Sequence, residues 1–317
     1  MISARRTTWA PALVCALVGV LAGAPAARAQ WVERPFAPPL GTRWIVQSDE
    51  TSKADRGGQL QIVHARTTAE LTFSERTADG YRIVYTVRNV DIDGPNAAAL
   101  AVGAKALERV TIRATVDANG MPLRIDNLDE VHAALRAAID RLVAPLAGTP
   151  QGPAIRRMAT AMLVVDGVRA AKIYLAELPL LALGQNPGLR PGETRDSVEE
   201  IPNPSGGAAI KSRVTLRIDS ADAVTGNLRL VRTRGFDPDT IKDLTRTMAH
   251  QLTGANSEAF DKLVSALGFT FNSTAELSVE GGMTRAVREH EVLIITAPGQ
   301  HALTKTTDKT VTVAPAT

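Results

Sequence analysis

Apolar and polar side chains alternate along five stretches of the chain: Leu71 and Phe73; Tyr81, Ile83, Tyr85 and Val87; Val110, Ile112, Ala114 and Val116; Val214, Leu216 and Ile218; Leu277 and Val279. Arg82, Thr86, Arg88, Thr111, Arg113, Thr215 and Arg217 stand between them. A period of two places the two sets on opposite faces of a strand, so each stretch predicts a strand with one dry and one wet face. That pattern favours antiparallel sheet, because parallel strands covered on both sides read as continuous apolar runs. Turn chemistry agrees. Asp79-Gly80 links 71–73 to 81–87, Asn119-Gly120 links 110–116 to 121–125, and Gly226-Asn227 follows 214–218. These residues tolerate the positive φ that tight hairpins demand.

The period lengthens in two blocks. Leu128, Val131, Leu135, Ile139, Leu142 and Leu146 recur every three or four residues behind Asn127, an expected N-cap, with Pro145 limiting the end. A segment opening at Gly152-Pro153 carries Ile155, Met158, Ala159 and Met162, and a third runs from about Val168 to Leu178 and stops at Pro179. The later block starts at Asp237-Pro238 and sets Ile241, Leu244, Met248 and Leu252 on one face. It resumes at Ser257 with Phe260, Leu263, Val264 and Leu267, and Gly268 closes it.

The order of signals recurs along the chain. Pro39-Leu40-Gly41-Thr42-Arg43 is echoed by Pro191-Gly192-Glu193-Thr194-Arg195, Gly57-Gly58 by Gly206-Gly207, the 71–87 hairpin by 214–231, and 116–121 by 279–283. Tandem duplication and chance recurrence of turn residues both produce such matches. The expected division is a leader over 1–29, a β-rich half over 30–185 with helices at about 128–178, and a second β-rich half over 186–317 with helices at about 238–267.

Composition alters the picture mainly through the leader. Arg5 and Arg6 precede an apolar run containing Leu13, Val14, Leu17, Val18, Val20 and Leu21, and Ala27-Arg28-Ala29 stands before Gln30. Those three parts in that order predict a secretory signal cleaved between Ala29 and Gln30, hence a periplasmic or secreted bacterial protein. The competing membrane anchor needs about 20 apolar residues, whereas this run is shorter and contains Pro11. Arg5-Arg6 also raises twin-arginine export, but Thr7-Thr8-Trp9 replaces the Phe-Leu expected after the pair.

Cleavage removes three arginines and no acid, so the 36 basic residues become 33, equal to the 33 Asp and Glu. With no basic block left, nucleic acid and anionic membrane surfaces are not expected partners. Cys15, the single cysteine, also leaves with the leader. The mature chain then has no disulfide, no thiolate for zinc and no cysteine nucleophile. Lipidation at Cys15 is disfavoured by the bulky lead-in Leu13-Val14.

Catalytic and metal-binding patterns are sparse. His64, His132, His250, His290 and His301 show no metal-site spacing apart from Glu289-His290-Glu291, where alternation sends His290 to the face opposite both glutamates. A solvated charged strand is the expectation there. Ser205-Gly206-Gly207 lacks the nucleophile-elbow pattern and reads as a connector. Glu199-Glu200 carries no catalytic spacing, and Asp126, Asp129 and Glu130 suit a helix N-terminus. Trp44 is expected to anchor the first strand in the core, while Trp31 is free to pack on a partner. Met121, Met158, Met162, Met248 and Met283 read as core fillers that would also suit an apolar guest. No cofactor is expected.

The pieces Gly41-Thr42-Arg43-Trp44 and Pro191-Gly192-Glu193-Thr194-Arg195, each opening a strand, with the Asp-Gly hairpin and Val116-Asp117-Ala118-Asn119-Gly120-Met121, resemble uncharacterised β-rich proteins of the bacterial envelope. In those families Pro-Gly-Asp-Thr-Trp opens a β-rich half; here Arg195-Asp196 stands where the tryptophan belongs. More distantly the arrangement resembles half-barrel carriers of lipids and lipoproteins, an architectural likeness that carries function poorly. The resulting expectation is an α+β fold, one or two twisted antiparallel sheets packed against amphipathic helices. Its first functional reading is a non-catalytic envelope protein binding a lipid, acyl chain or lipoprotein segment. An assembly module without a pocket is the alternative, and a hydrolase with an unrecognised site is third.

Overall fold

In the computed structural model, residues 34–95, 97–146, 165–201, 210–237 and 264–317 are described, with isolated positions at 148, 152–153, 156, 160, 163, 239–243, 245–246 and 262. The leader with Cys15, Ala29 and Gln30, Trp31, the Ser205-Gly206-Gly207 connector, His250, and Met158, Met162 and Met248 lie outside the described residues.

Eleven strands form one antiparallel sheet: β1 (Arg43–Arg56), β2 (Gln59–Arg76), β3 (Gly80–Asp93), β4 (Thr111–Asp117), β5 (Pro122–Ile125), β6 (Thr194–Ile201), β7 (Ile210–Ala221), β8 (Leu228–Phe236), β9 (Gly268–Glu280), β10 (Met283–Thr296) and β11 (Leu303–Pro315). Their spatial order is β5-β4-β3-β2-β1-β11-β10-β9-β8-β7-β6. Strands adjacent in sequence pair, as hairpin chemistry predicts, except β5 and β6, which form the two edges. The other departure lies at the centre, where β1 joins β11 from Trp44 opposite Pro315 to Arg56 opposite Leu303. A single hydrophobic cluster draws on both halves, from Trp44 and Leu71 to Leu277 and Val313.

Four helices are described: α1 (Ala97–Ala106), α2 (Leu128–Val143), α3 (Gly167–Tyr174) and α4 (Glu177–Ala182), with a 3₁₀ turn at Ala144–Leu146. The α+β class holds. Three local expectations change. Helix α1 has no counterpart in the sequence reading, because Ala97-Ala98-Ala99-Leu100-Ala101-Val102 offers composition without an amphipathic period. The third helix is broken at Leu175-Ala176, and α4 runs through Pro179. Proline is tolerated there because first-turn amides have no intrahelical partner. Asn127 sits at the start of α2 without capping it by side chain. Its Oδ1 accepts from Arg113 N at 2.8 Å and its Nδ2 donates to Thr111 O at 3.0 Å, which ties α2 to β4 instead.

Two close approaches curl the sheet. Residues 34–36 form a strap across one end. A methyl group on Gly226, in the β7–β8 turn, would lie 2.7 Å from Arg34 Cγ, while Phe36 packs edge-on to Phe73 and Tyr81 of β2 and β3. Three extended residues reach about 10 Å, but strands β3 and β8 are six places apart, about 29 Å in a flat sheet. The inner face is therefore concave. Gly282, in the β9–β10 turn, has φ of +79° and leaves no room for a Cβ, which would come 2.5 Å from Pro35 O. Phe36 N donates to Asn186 Oδ1 at 2.8 Å, and Asn186 Nδ2 donates to Asn119 Oδ1 at 2.7 Å, so the strap closes this end against turns from both halves.

Candidate functional site on the inner face

Alternation assigns every strand residue to the helix side or the outer side. At the strap end the helix side is apolar: Ile83, Leu71, Val46, Val313, Leu277 and Leu230 are buried, with Leu135 and Val131 of α2 and Leu178 and Leu181 of α4 in the same cluster. Tyr85 and Tyr174 bring phenol groups into this apolar face. Tyr85 donates to Glu177 Oε2 of α4 at 3.1 Å, and burial pushes the phenol well above its usual range. Tyr174, on α3, is pushed up to about 12, again by burial.

Further along the second half, the same face becomes charged. Cross-strand register sets Leu230 of β8 opposite Leu277, Arg232 opposite Ala275, and Arg234 opposite Ser273. On β10, Val287, Glu289 and Glu291 stand beside them, followed by Val311, Lys309 and Thr307 on β11. Arg232, whose side chain is 4% exposed, donates to Glu199 of β6 at 2.6 Å. Arg234 donates to Glu291 at 2.8 Å, and Ser273 donates to Glu289 at 2.7 Å. Lys309 pairs with Glu50 of β1 at 3.6 Å. A belt of charge thus crosses the inner face from β6 to β1.

Burial sets the electrostatics of the belt. It raises the Glu291 carboxyl above its ordinary value, with Glu289 adding repulsion and Arg234 opposing. It lowers the Arg232 guanidinium, against the attraction of Glu199. Beyond the belt the face turns apolar again. Phe236 and Phe271 stack with centroids 4.3 Å apart, Arg234 lies 5.3 Å from each ring, and Leu293 and Ile295 are half-buried.

The outer face is wet. Cross-strand ion pairs cover it, among them Asp49–Arg66 at 3.0 Å, Glu75–Arg82 at 2.9 Å, Glu70–Arg88 at 2.6 Å and His290–Asp308 at 2.7 Å. A face of that chemistry suits water and not hydrocarbon. Its depressions are shallow; one of about 380 Å³ is lined by Glu276, Arg288, His290 and Asp308. Among the described residues, no helix is long and apolar enough to cross a membrane, and no three His, Cys, Asp or Glu side chains are grouped to hold a metal ion.

The placement of individual residues refines the sequence reading. Glu289 and Glu291 do face away from His290, but the expectation of a solvated strand fails, because Glu289 is buried on the inner face. Alternation in the sequence does not distinguish Arg232 and Arg234, since their period of two looks the same whether a face is wet or dry. The one available signal was the Arg-x-Arg on a strand whose other inward residues, Leu228 and Leu230, are apolar. Glu199 faces inward while Glu200 is exposed, and Asp129 and Glu130 occupy the first turn of α2. His64 hydrogen-bonds Thr51 at 3.0 Å on the surface. Trp44 is buried as expected, at 3% exposure.

No family model matches the chain, and no curated protein matches it. Among solved structures, a lipovitellin structure concerned with lipid-protein interactions is similar at a TM-score of 0.46 and 9% identity, covering 88% of this chain. The chain spans about a quarter of the lipovitellin chain, 26% of its length. An outer membrane channel from Pseudomonas putida F1 aligns over 88% of this chain and 97% of its own, with 8% identity and a TM-score of 0.18. Neither likeness carries an argument about function.

Proposed function

We propose that this is an exported, non-catalytic binding protein of the bacterial envelope that holds an apolar ligand, a lipid, acyl chain or lipoprotein segment, against the concave face of the sheet. The observation that carries the reading is the run of half-buried apolar side chains beyond the charged belt, Phe236, Phe271, Leu293 and Ile295, on the inner side of a sheet whose outer side is wet. Apolar surface gains about 25 cal/mol per Å² on leaving water, which is the driving force for an acyl chain to enter. The belt then separates that run from the tightly packed strap end.

The test uses mature protein purified from its expression host. Solvent extraction followed by mass spectrometry is expected to release lipid, and a fluorescent fatty acid is expected to bind saturably. Clean extracts together with no uptake would refute the reading. Mass measurement of the exported protein is expected to give a chain beginning at Gln30; retention of residues 1–29 would refute export by cleavage.

One observation favours the second reading, an assembly module. Strand β6 is an edge strand of eight residues with Val198 65% exposed, a geometry to which a partner strand adds. Photocrosslinking from position 198 in cells distinguishes the two: one specific protein adduct supports the module, and diffuse adducts oppose it.

A further inference from the structure

Among the described residues, the inner-face Arg232 and Arg234 pair with Glu199 and Glu291, each with its Nε still buried without a partner, whereas Arg285 forms no ion pair and its Nη1 is buried without a hydrogen-bond partner. Arg285 shares the inward parity of Val287 and Glu289, and the register of β10 against β9 shifts between Thr284 and Ala286, which turns Thr284 to the same side. Such bulges re-aim a side chain. Here the guanidinium is laid over the Trp44 ring of β1, with Cζ 4.4 Å from the centroid.

The same place holds two more unanswered groups. Trp44 Nε1 and Thr284 Oγ1 are both buried without a partner, and their residues are 3% and 0% exposed. Thr284 lies under Gly184, where a methyl group would come 2.5 Å from its Oγ1, and Val279 and Leu277 form the adjoining wall. An indole N–H and a guanidinium N–H can only donate, and a hydroxyl can donate as well. Leaving such groups buried and unpaired costs about 1–3 kcal/mol each, more where charge is involved. The stack on Trp44 offsets part of the guanidinium cost, but a ring face supplies no acceptor for the N–H bonds.

From this cluster we infer that Arg285, Trp44 and Thr284 form a receptor for an acidic group, so that the ligand is an anionic amphiphile, a carboxylate or phosphate carried on an apolar chain. The inference rests on the binding-protein reading and narrows it. Arg285 lies eight residues along β10 from Leu293, about 26 Å in an extended strand. The head would therefore sit at the strap end, and the chain would run along β10 across the belt to the apolar run. Arg285 supplies the permanent charge, Trp44 holds the guanidinium plane and offers its own N–H, and Thr284 completes the donor set. The carboxylates of the belt keep Arg232 and Arg234 engaged, which leaves Arg285, among the described residues, as the inner-face guanidinium free to meet an anion.

Titration of the mature protein with oleate, oleyl phosphate and oleyl alcohol tests it, because the three share one chain and differ at the head. Both acids, or whichever of the two the site prefers, are expected to bind about tenfold or more tighter than the alcohol. Arg285→Gln is expected to abolish that preference. Trp44→Phe keeps the stacking ring, removes the N–H, and is expected to reduce the preference about threefold. Equal binding of acids and alcohol by the unmodified protein overturns the inference and leaves the proposed function standing. Preference retained in both variants also overturns it, and binding of none of the three sinks both readings.

Discussion

Along β3 the inner face reads Tyr81, Ile83, Tyr85, Val87; along β8 it reads Leu228, Leu230, Arg232, Arg234. Both strands alternate in step with their neighbours, and both present this side to the interior. The first half of the sheet stays apolar and is closed by α2, α3 and the Phe36–Phe73–Tyr81 triad. The second half changes to charge after two positions and satisfies it with Glu199, Glu289 and Glu291. Close packing of apolar groups gives stability; buried ion pairs give little, because desolvation cancels most of the attraction. The contrast assigns stability to the first half more than to the second.

The sharpest way to break the comparison is in the first half. Leu135→Ala, at a fully buried position of α2, is expected to lower unfolding stability by about 3–5 kcal/mol in urea titration. Arg232→Met removes one partner of a buried pair and is expected to cost about 2–4 kcal/mol, discounted because Glu199 is 38% exposed. Adding Glu199→Leu should return the protein to within about 1 kcal/mol of the original. A double variant as weak as the single one would show that the belt does stabilise the fold. Tyr85→Phe, which loses the bond to Glu177, is expected to cost about 1–2 kcal/mol.

The smallest effects lie in pH dependence, where the two faces have opposite signs. Burial raises the Glu291 carboxyl, so its protonated form favours the fold below the ordinary glutamate range, and this contribution is lost as pH rises through the raised value. Glu291→Gln should therefore gain melting temperature relative to the unmodified protein as pH rises towards neutrality. On the outer face, the hydrogen bond from Arg88 lowers the Glu70 carboxyl. Its contribution is present above the ordinary range and is lost as pH falls, and Glu70→Gln should cost about 0.5 kcal/mol or less near neutrality. Slopes of the same sign for the two variants would erase the distinction between the faces.

Much of the sheet was legible because half-buried strands repeat every two residues, and Asp79-Gly80, Asn119-Gly120 and Gly226-Asn227 occupy hairpin turns as expected. What escaped notice lacks that repeat. The first dozen residues of β2, from Gln59, and the threonine-rich β11 contain few apolar positions, and their pairing with β1 makes them strands. Strand β6 is polar on both sides and is held by β7 alone. The receptor around Arg285 was invisible for a different reason. A bulge shifts the parity of a strand by one, so Thr284, which alternation from Val287 would send outward, comes to the same side as Arg285.

The pairing of β1 with β11 gives the fold an unusual order of completion. The middle of the sheet is formed by the first and last strands made, and Ala316 N donates to Arg43 O at 2.8 Å where the two ends meet. Until β11 is made, β1 and β10 are raw edges, and the two half-sheets cannot join. Cutting the chain near residue 190 and linking residue 317 to residue 34 would turn the molecule into an uninterrupted meander from β6 through β11 and β1 to β5, with local contacts where the natural chain must close its longest loop.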